Sequence, residues 1–342
     1  MTEKEITQDQ EDQQKKKKYR RMGPTILFGV LLWLGILGIS ACSNTGNVQN
    51  QEMNQGEEAD NLSENEASDG NENDQKTDEE EENSITAVEL LELDESLKYM
   101  GNLILVNSDH PYHFEENAAD LGLEDVASYG SGIPIGEVGL QLASRIMEPL
   151  YQMIQDCNGA LGCSDTGVTS AYRSWEVQQQ IYSDYAINYG QSYAEAYVAD
   201  PGYSEHHTGL ALDMGIYYEN GGVGSFSESD NAVWMDENCQ NYGFIRRYKE
   251  DKVDITGINN ESWHFRYVGI PHATYMNQQN LCLEEYIDFL RTQTSADNPI
   301  TVTCVTGTYE IYATTESAIP IPEGDYTVEG DNIDGYIITI LK

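Results

Sequence analysis

Two short segments about fifty residues apart restrict this chain more than anything else in it. The first reads Ser-Glu-His-His-Thr-Gly-Leu-Ala-Leu-Asp from Ser204 to Asp213, and the second reads Glu-Ser-Trp-His from Glu261 to His264. Around Asp213 the residues alternate as in a half-buried strand, with Leu210, Leu212 and Met214 on one face and Ala211 and Asp213 on the other. Trp263, Phe265 and Tyr267 share one face of a second such strand, and His264 and Arg266 share the opposite face. Two neighbouring strands of this kind each present one polar residue to a common cleft, and Glu261 lies just before the second strand, within reach.

A hydrolytic metal ion needs three protein ligands drawn from His, Asp, Glu and Cys, a fourth position open to water, and a nearby carboxylate to take that water's proton. His206, Asp213 and His264 fit the ligand positions and Glu261 fits the carboxylate. Taken singly, a His or Asp on a strand is usually a satisfied polar residue; the combination carries the reading as a zinc hydrolase. His207 would point to the opposite side if its segment is extended, and His110, His113 and His272 read as structural or surface groups. None of these four is assigned to the metal, and the cysteines lack zinc-finger spacing.

The pattern Ser-x-His-x-x-Gly-x-Ala-x-Asp followed by Glu-x-Trp-His resembles the zinc D,D-carboxypeptidases of the VanY type. Their peptidase family also holds the VanX dipeptidases and the L,D-carboxypeptidases of peptidoglycan. The resemblance spans roughly residues 102–290. It implies that His206, Asp213 and His264 are the zinc ligands, that Glu261 is the general base, and that Ser204 helps to hold substrate. Upstream, Ser170-Ala-Tyr-Arg-Ser174 is similar to the family's Ser-Gly-Tyr-Arg-Ser segment, which gives Arg173 the task of polarising the scissile carbonyl and stabilising the oxyanion. Tyr172, and Gln178 on the following helix, are substrate-contact candidates by the same likeness. The local physics agrees: Ser174 is a good N-cap, Glu176 suits a first turn, and a rigid helix start would aim Arg173. A guanidinium suits a developing oxyanion, and one such donor is worth about 3 kcal/mol of barrier in other hydrolases. Three residues depart from the family pattern: Ala171 for glycine, Ser262 for proline, and Met214 for a branched residue. None removes a ligand or the base, but proline at 262 would stiffen the backbone that spaces Glu261 from His264.

The N-terminal part points to location. Lys15 to Lys18, Arg20 and Arg21 precede an uncharged apolar stretch over residues 23–41, the order of an export or anchoring segment inserted positive side inward. The stretch ends in Ile39-Ser-Ala-Cys42, which resembles a bacterial lipoprotein cleavage site. Residues 1–22 then form a cytoplasmic basic head and 23–42 a membrane anchor or lipoprotein signal, with the rest extracytoplasmic. Residues 43–84 are mostly Glu, Asp, Asn, Gln and Ser, too polar to offset chain entropy by burial, and read as a disordered tether extended by like charge. A formal net charge of -41 over 342 residues argues against nucleic-acid binding. No protein partner is expected. Outside the cytoplasm disulfides form readily. Cys157 with Cys163 is the easiest pair to picture, Cys239 with Cys282 is a second, and Cys304 is left open.

Residues 85–295 suit one catalytic domain. Helices are expected over 137–156, with a kink at Pro149, and over 175–189 and 283–293; strands are expected near 103–106, 169–172, 210–214 and 263–268. Helices flanking a small antiparallel sheet make an α+β domain, which is also the hedgehog/DD-peptidase-like zinc fold that the resemblance implies. Residues 296–342 alternate in short runs, with turns at Gly324 and Gly330, and read as a small β appendage suited to wall binding or to plain packing. The functional expectation is a zinc D,D-carboxypeptidase acting on peptidoglycan stem peptides that end in D-Ala-D-Ala, with a contribution to glycopeptide resistance. The alternatives are an L,D-carboxypeptidase on tetrapeptide stems and a catalytically idle wall-binding protein. Binding alone needs neither Glu261 nor Arg173, which speaks against the idle form.

Overall fold

The alternation of apolar residues through the two motif segments produces adjacent strands of one sheet. The computed structural model describes residues 89–129 and 132–342. The strands in chain order are β1 Leu90–Glu92, β2 Leu123–Asp125, β3 Gln141–Ala143, β4 Thr166–Ser170, β5 Ala211–Tyr217, β6 Val223–Gly224, β7 Phe244–Tyr248, β8 Glu261–Tyr267, β9 Ile300–Cys304, β10 Gly307–Thr314, β11 Ala318–Pro320, β12 Tyr326–Gly330 and β13 Tyr336–Leu341. The longer helices are α1 Met147–Leu161, α2 Trp175–Tyr189, α3 Gln191–Tyr197, α4 Asp230–Asn238, α5 Ile270–Gln279 and α6 Leu283–Gln293. The basic head, the apolar stretch 23–42 and the acidic segment 43–84 lie outside the described residues. Among the described residues, no helix is long and apolar enough to cross a membrane.

The central sheet runs β4-β5-β8-β7, antiparallel throughout, with β6 added to the end of β5. Its register sets Asp213 opposite His264, Ser170 opposite Asp213 and Glu261 opposite Tyr248. Leu210, Leu212, Met214 and Phe265 turn to the other face, where they pack with Met147, Leu150 and Ile154 of α1 and Met235 of α4. Chain alternation thus separates an apolar side that holds the sheet from a polar side that carries the chemistry.

α2 and α6 occupy the expected ranges, but the expected helix over 137–156 is corrected. Gln141–Ala143 pair with β2, Ser144–Ile146 form one tight turn, and the helix begins only at Met147 and runs on to Leu161. Pro149 therefore sits in the first helical turn, where a missing N–H leaves no internal bond unmade, and it introduces no interior kink. The apolar stripe Leu140, Ile146, Leu150 and Ile154 is nonetheless buried throughout.

Residues 103–106 are buried as expected of a strand, yet they join no sheet. Mostly side chains replace a strand partner: Arg266 Nη2 donates to the carbonyls of Asn102 and Ile104, Asn332 Nδ2 donates to that of Leu105, and the Leu105 N–H donates to the Asp331 carbonyl. β4 also ends earlier than expected. The Tyr172 N–H donates to the Gln141 carbonyl and the Arg173 N–H to the His206 carbonyl, which draws these residues off the sheet.

The C-terminal strands form a sheet in the order β12-β13-β10-β9, while β11 pairs with β1. One face buries Val302, Ile311, Ala313 and Ile337 against Met276 of α5 and Leu283, Ile287 and Leu290 of α6. The other buries Tyr312, Tyr336, Ile338 and Ile340 with Leu93 and Ile319. Gly324 takes the left-handed φ of +99° expected for a turn. Gly330 instead closes β12, where a Cβ would lie 2.1 Å from the Lys98 carbonyl oxygen.

The five described cysteines, Cys157, Cys163, Cys239, Cys282 and Cys304, are all unpaired. The expected pairs are occupied otherwise. Cys157 is buried on α1, Cys163 contacts Asn158 Oδ1, Cys239 is in the core, and Cys282 caps α6.

Candidate active site

Each motif residue reaches the polar side of the central sheet by a different local route. Asp213 and His264 are cross-strand partners on β5 and β8. His206 stands not on a strand but on a tight helical turn, Glu205–Thr208. Gly209 closes that turn at φ 66°, and a Cβ there would come within 3.0 Å of Leu123 and 3.2 Å of the Ala143 nitrogen, so only glycine suits it. The turn also accounts for His207, which is buried. Its Nδ1 lies 2.6 Å from the Arg173 carbonyl, and its Nε2 accepts from the Gly202 N–H at 3.0 Å. It links the turn to the arginine segment and stays away from the cluster.

The two cluster histidines are oriented from behind. His206 Nδ1 lies 2.6 Å from the Ala171 carbonyl oxygen, which leaves Nε2 3.5 Å from Asp213 Oδ2. His264 Nε2 lies 3.4 Å from Glu205 Oε2, which leaves Nδ1 3.1 Å from Asp213 Oδ1 and 3.6 Å from Glu261 Oε2. One donor atom each from His206, Asp213 and His264 falls within 4.8 Å of the others. Asp213 Oδ2 accepts from Arg173 Nη2 at 2.9 Å, whereas Oδ1 is buried without a hydrogen-bond partner. A buried carboxylate oxygen left unmatched is costly. Two imidazole nitrogens and that oxygen converging on one point suit a small divalent cation, and the engaged outer nitrogens are what such ligands require. The residues present therefore fit a zinc ion.

Electrostatics follow from crowding charge into a buried corner. Burial, with Asp213 adding, raises the Glu261 pKa to about 7 against the opposing pull of His264 and Arg173. Burial, then Arg173, lowers His206 to about 4. Burial acts to lower His264 too, but the adjacent carboxylates of Asp213 and Glu205 prevail and raise it to about 9. Asp213 is held well below the ordinary range: burial opposes ionisation, and His206, His264 and Arg173 overcome it.

Arg173 is fixed on several sides. Its Nε and Nη2 donate to Ser170 Oγ at 3.1 and 2.8 Å, and its Nη1 lies 3.5 Å from Gln178 Oε1. Ser174 caps α2 as its sequence suggests, accepting from the Val177 N–H. Gln178 differs from the expectation of substrate contact. It is 1% exposed and its amide donates to the Ala199 carbonyl at 2.8 Å, so it braces Arg173 from within the fold. Tyr172 is half-buried. Ser204 is buried. His110 pairs with Asn107, His113 stacks on Tyr99, and His272 bonds to Tyr286 and Thr339, all outside the cluster.

The motif reading did not single out Glu205, Arg247 or Tyr248. Glu205 is enclosed beside the first histidine and pairs with Arg247 and Arg266. The Tyr248 ring lies 4.8 Å from that of His264. One signal was available: arginines inside the apolar, aromatic runs around positions 247 and 266 would need buried acidic partners.

The family described as VanY: D-alanyl-D-alanine carboxypeptidase matches residues 139–270, the span holding every one of these site residues. A D-alanyl-D-alanine carboxypeptidase of Enterococcus faecium is 33% identical over 267 residues, covering 76% of this chain and 82% of that protein. The chain belongs to the VanY family. A bifunctional D-Ala-D-Ala dipeptidase and D-Ala-D-Ala carboxypeptidase, VanXYC of Enterococcus gallinarum, is 33% identical over 195 residues, 56% of the VanY-family chain and 96% of its own length. Among solved structures, the vancomycin-resistance D,D-dipeptidase VanXYg, in complex with a D-Ala-D-Ala phosphinate analog, superposes with a TM-score of 0.65 at 31% identity. That match covers 74% of the VanY-family chain and 99% of VanXYg. The α+β fold with helices around small antiparallel sheets is thus the carboxypeptidase fold of this family.

Proposed function

We propose that this VanY-family enzyme is a zinc D,D-carboxypeptidase that hydrolyses the terminal D-Ala from peptidoglycan stem peptides ending in D-Ala-D-Ala. The observation that carries the metal assignment is the buried, unpartnered Asp213 Oδ1, set 3.1 Å from His264 Nδ1 in the cluster with His206. His206 would bind through Nε2, His264 through Nδ1 and Asp213 through Oδ1. Zinc held there supplies a Lewis acid that acidifies water and polarises a carbonyl.

The protein's own groups do the rest. Glu261, raised to about 7, is poised to take a proton from the attacking water and return it to the departing D-Ala amine. Arg173, fixed by Ser170 and Asp213, directs its guanidinium at the oxygen that becomes negative as the carbonyl is attacked. Ser204 and Tyr172 are the proposed substrate contacts, as the family resemblance implies. The D-Ala-D-Ala named in both enterococcal relatives favours the D,D over the L,D reaction. The basic head, apolar stretch and acidic tract support a membrane-anchored enzyme with its catalytic domain outside the cytoplasm. There, removal of terminal D-Ala would reduce the target of glycopeptide antibiotics.

The test is D-Ala release by the zinc-supplied protein from matched pentapeptide and tetrapeptide stems, with Glu261→Ala as control. Release from pentapeptide alone, lost in the variant, is the expected result. A preference for tetrapeptide would move the enzyme to the L,D class, and zinc binding without release from either stem would make it a binding protein. Membrane fractionation of wild type and Cys42→Ala tests the anchor: loss from the membrane in the variant would mean lipidation, and retention an uncleaved helix.

A further inference from the structure

We infer that Glu205 is a positioning residue that fixes the ring of His264 for metal binding, an inference resting on the zinc reading above. Glu205 is enclosed, with a side chain 0% exposed, and two arginines reach it. Both use the same oxygen: Arg247 Nε and Arg266 Nη1 donate to Oε1 at 2.8 and 2.9 Å. Oε2 is left facing His264 Nε2 at 3.4 Å. If the carboxylate served only to neutralise buried guanidinium charge, a bidentate pair with one arginine would use both oxygens. Here one oxygen is kept for the imidazole.

The arginines are themselves held by distant segments, so the carboxylate cannot turn. Arg247 Nη1 and Nη2 pair with Glu284 Oε2 and Oε1 at 2.8 and 2.5 Å on α6. Arg266 Nη2 donates to the Asn102 and Ile104 carbonyls, each at 2.9 Å. A carboxylate on Nε2 selects the tautomer that carries its proton there, and so presents the Nδ1 lone pair to Asp213 and the metal position. Rotating the ring would lose that bond. His206 is held differently, by the backbone carbonyl of Ala171, which no side-chain change removes. Of the two histidines, only His264 has an orientation that depends on a replaceable side chain.

The experiment measures zinc affinity of the full chain by competition with a chromophoric chelator in wild type, Glu205→Gln, Glu205→Asp and Glu284→Gln. Glutamine keeps the size but loses the charge, and aspartate keeps the charge but withdraws it by one methylene. Both are expected to weaken zinc binding by about 10- to 100-fold, the usual consequence of losing an outer partner of a ligand histidine. Glu284→Gln also breaks a buried pair of Arg247 but acts on His264 only at one remove; it should lower the melting temperature and weaken zinc binding less than either Glu205 change. Folded Glu205 variants with wild-type affinity would overturn the inference, as would an equal loss in Glu284→Gln. Imidazole 15N spectra of the zinc-loaded wild type give a second readout that survives misfolding of any variant. A proton on His264 Nε2 with metal on Nδ1 is expected, and the reverse arrangement overturns the inference. Failure of the wild type to bind zinc would remove the zinc reading itself, a result distinct from insensitive Glu205 variants.

Discussion

Around His264 the interior links Glu205, Arg247, Arg266, Asp213 and Glu261 in one chain of polar contacts, whereas β10 and β13 of the C-terminal sheet bury Ile311, Tyr312, Ile337 and Ile338 between two layers of apolar side chains. The second region stabilises by area, at roughly 1.5–3 kcal/mol for each large apolar side chain fully buried. The first gains little net stability, because desolvation offsets most of the attraction in a buried ion pair. What it gains is direction: the ring nitrogens and carboxylate oxygens are held toward particular neighbours. The contrast separates side chains that hold the molecule together from side chains that aim its chemistry, and substitutions should respect that division.

The largest expected effect lies in the charged corner and leaves the fold alone. Glu261→Gln should lower kcat for D-Ala release by about 10²- to 10⁴-fold, with zinc still bound; a smaller loss would mean that another group takes the proton. In the apolar sheet the expectation reverses. Ile338→Ala should cost about 2–5 kcal/mol in denaturant unfolding while the folded fraction keeps wild-type zinc affinity. A parallel loss of affinity would show that the sheet also tunes the corner.

pH should divide the regions as well. In the metal-free protein Glu261 titrates near 7 rather than its ordinary 4.5, and His264 near 9 rather than 6.5. Both raised values mean that the folded state binds more protons than the unfolded one. The contribution of Glu261 is therefore fully present below pH 4.5 and lost by about 7, and that of His264 is fully present below 6.5 and lost by about 9. Each amounts to about 3 kcal/mol at most. Glu261→Gln should flatten the lower part of the metal-free stability profile, whereas Ile338→Ala should shift the profile without changing its slope. Zinc must also displace the His264 proton, so its affinity should rise with pH up to about 9. The smallest effect concerns Ser262, whose buried hydroxyl has no partner. Ser262→Ala should stabilise the protein by about 1 kcal/mol in thermal unfolding, unless substrate or zinc binding supplies that partner.

α2 and α6 matched their expected bounds because each carries its own evidence: an N-cap and first-turn acid at Ser174 and Glu176, and an amphipathic stripe through Leu283, Ile287 and Leu290. Where expectation and structure part, the deciding partner is remote. Gln141–Ala143 leave the helical pattern because β2 pairs with them, and residues 103–106 find hydrogen bonds on the side chains of Arg266 and Asn332 and on the Asp331 carbonyl.

By itself the sequence determined which candidate donors, carboxylate and arginine would gather and the two strands that bring Asp213 and His264 together, because residue type and a two-residue period suffice for that. Only the tertiary structure decided which nitrogen of each histidine faces the cluster, that His206 rides on a turn, that Gln178 is turned inward, and that Glu205 is shared among Arg247, Arg266 and His264. Those facts depend on contacts between residues 42 and 61 positions apart, and on burial that makes each unmatched polar atom costly. Neither condition is written in local sequence.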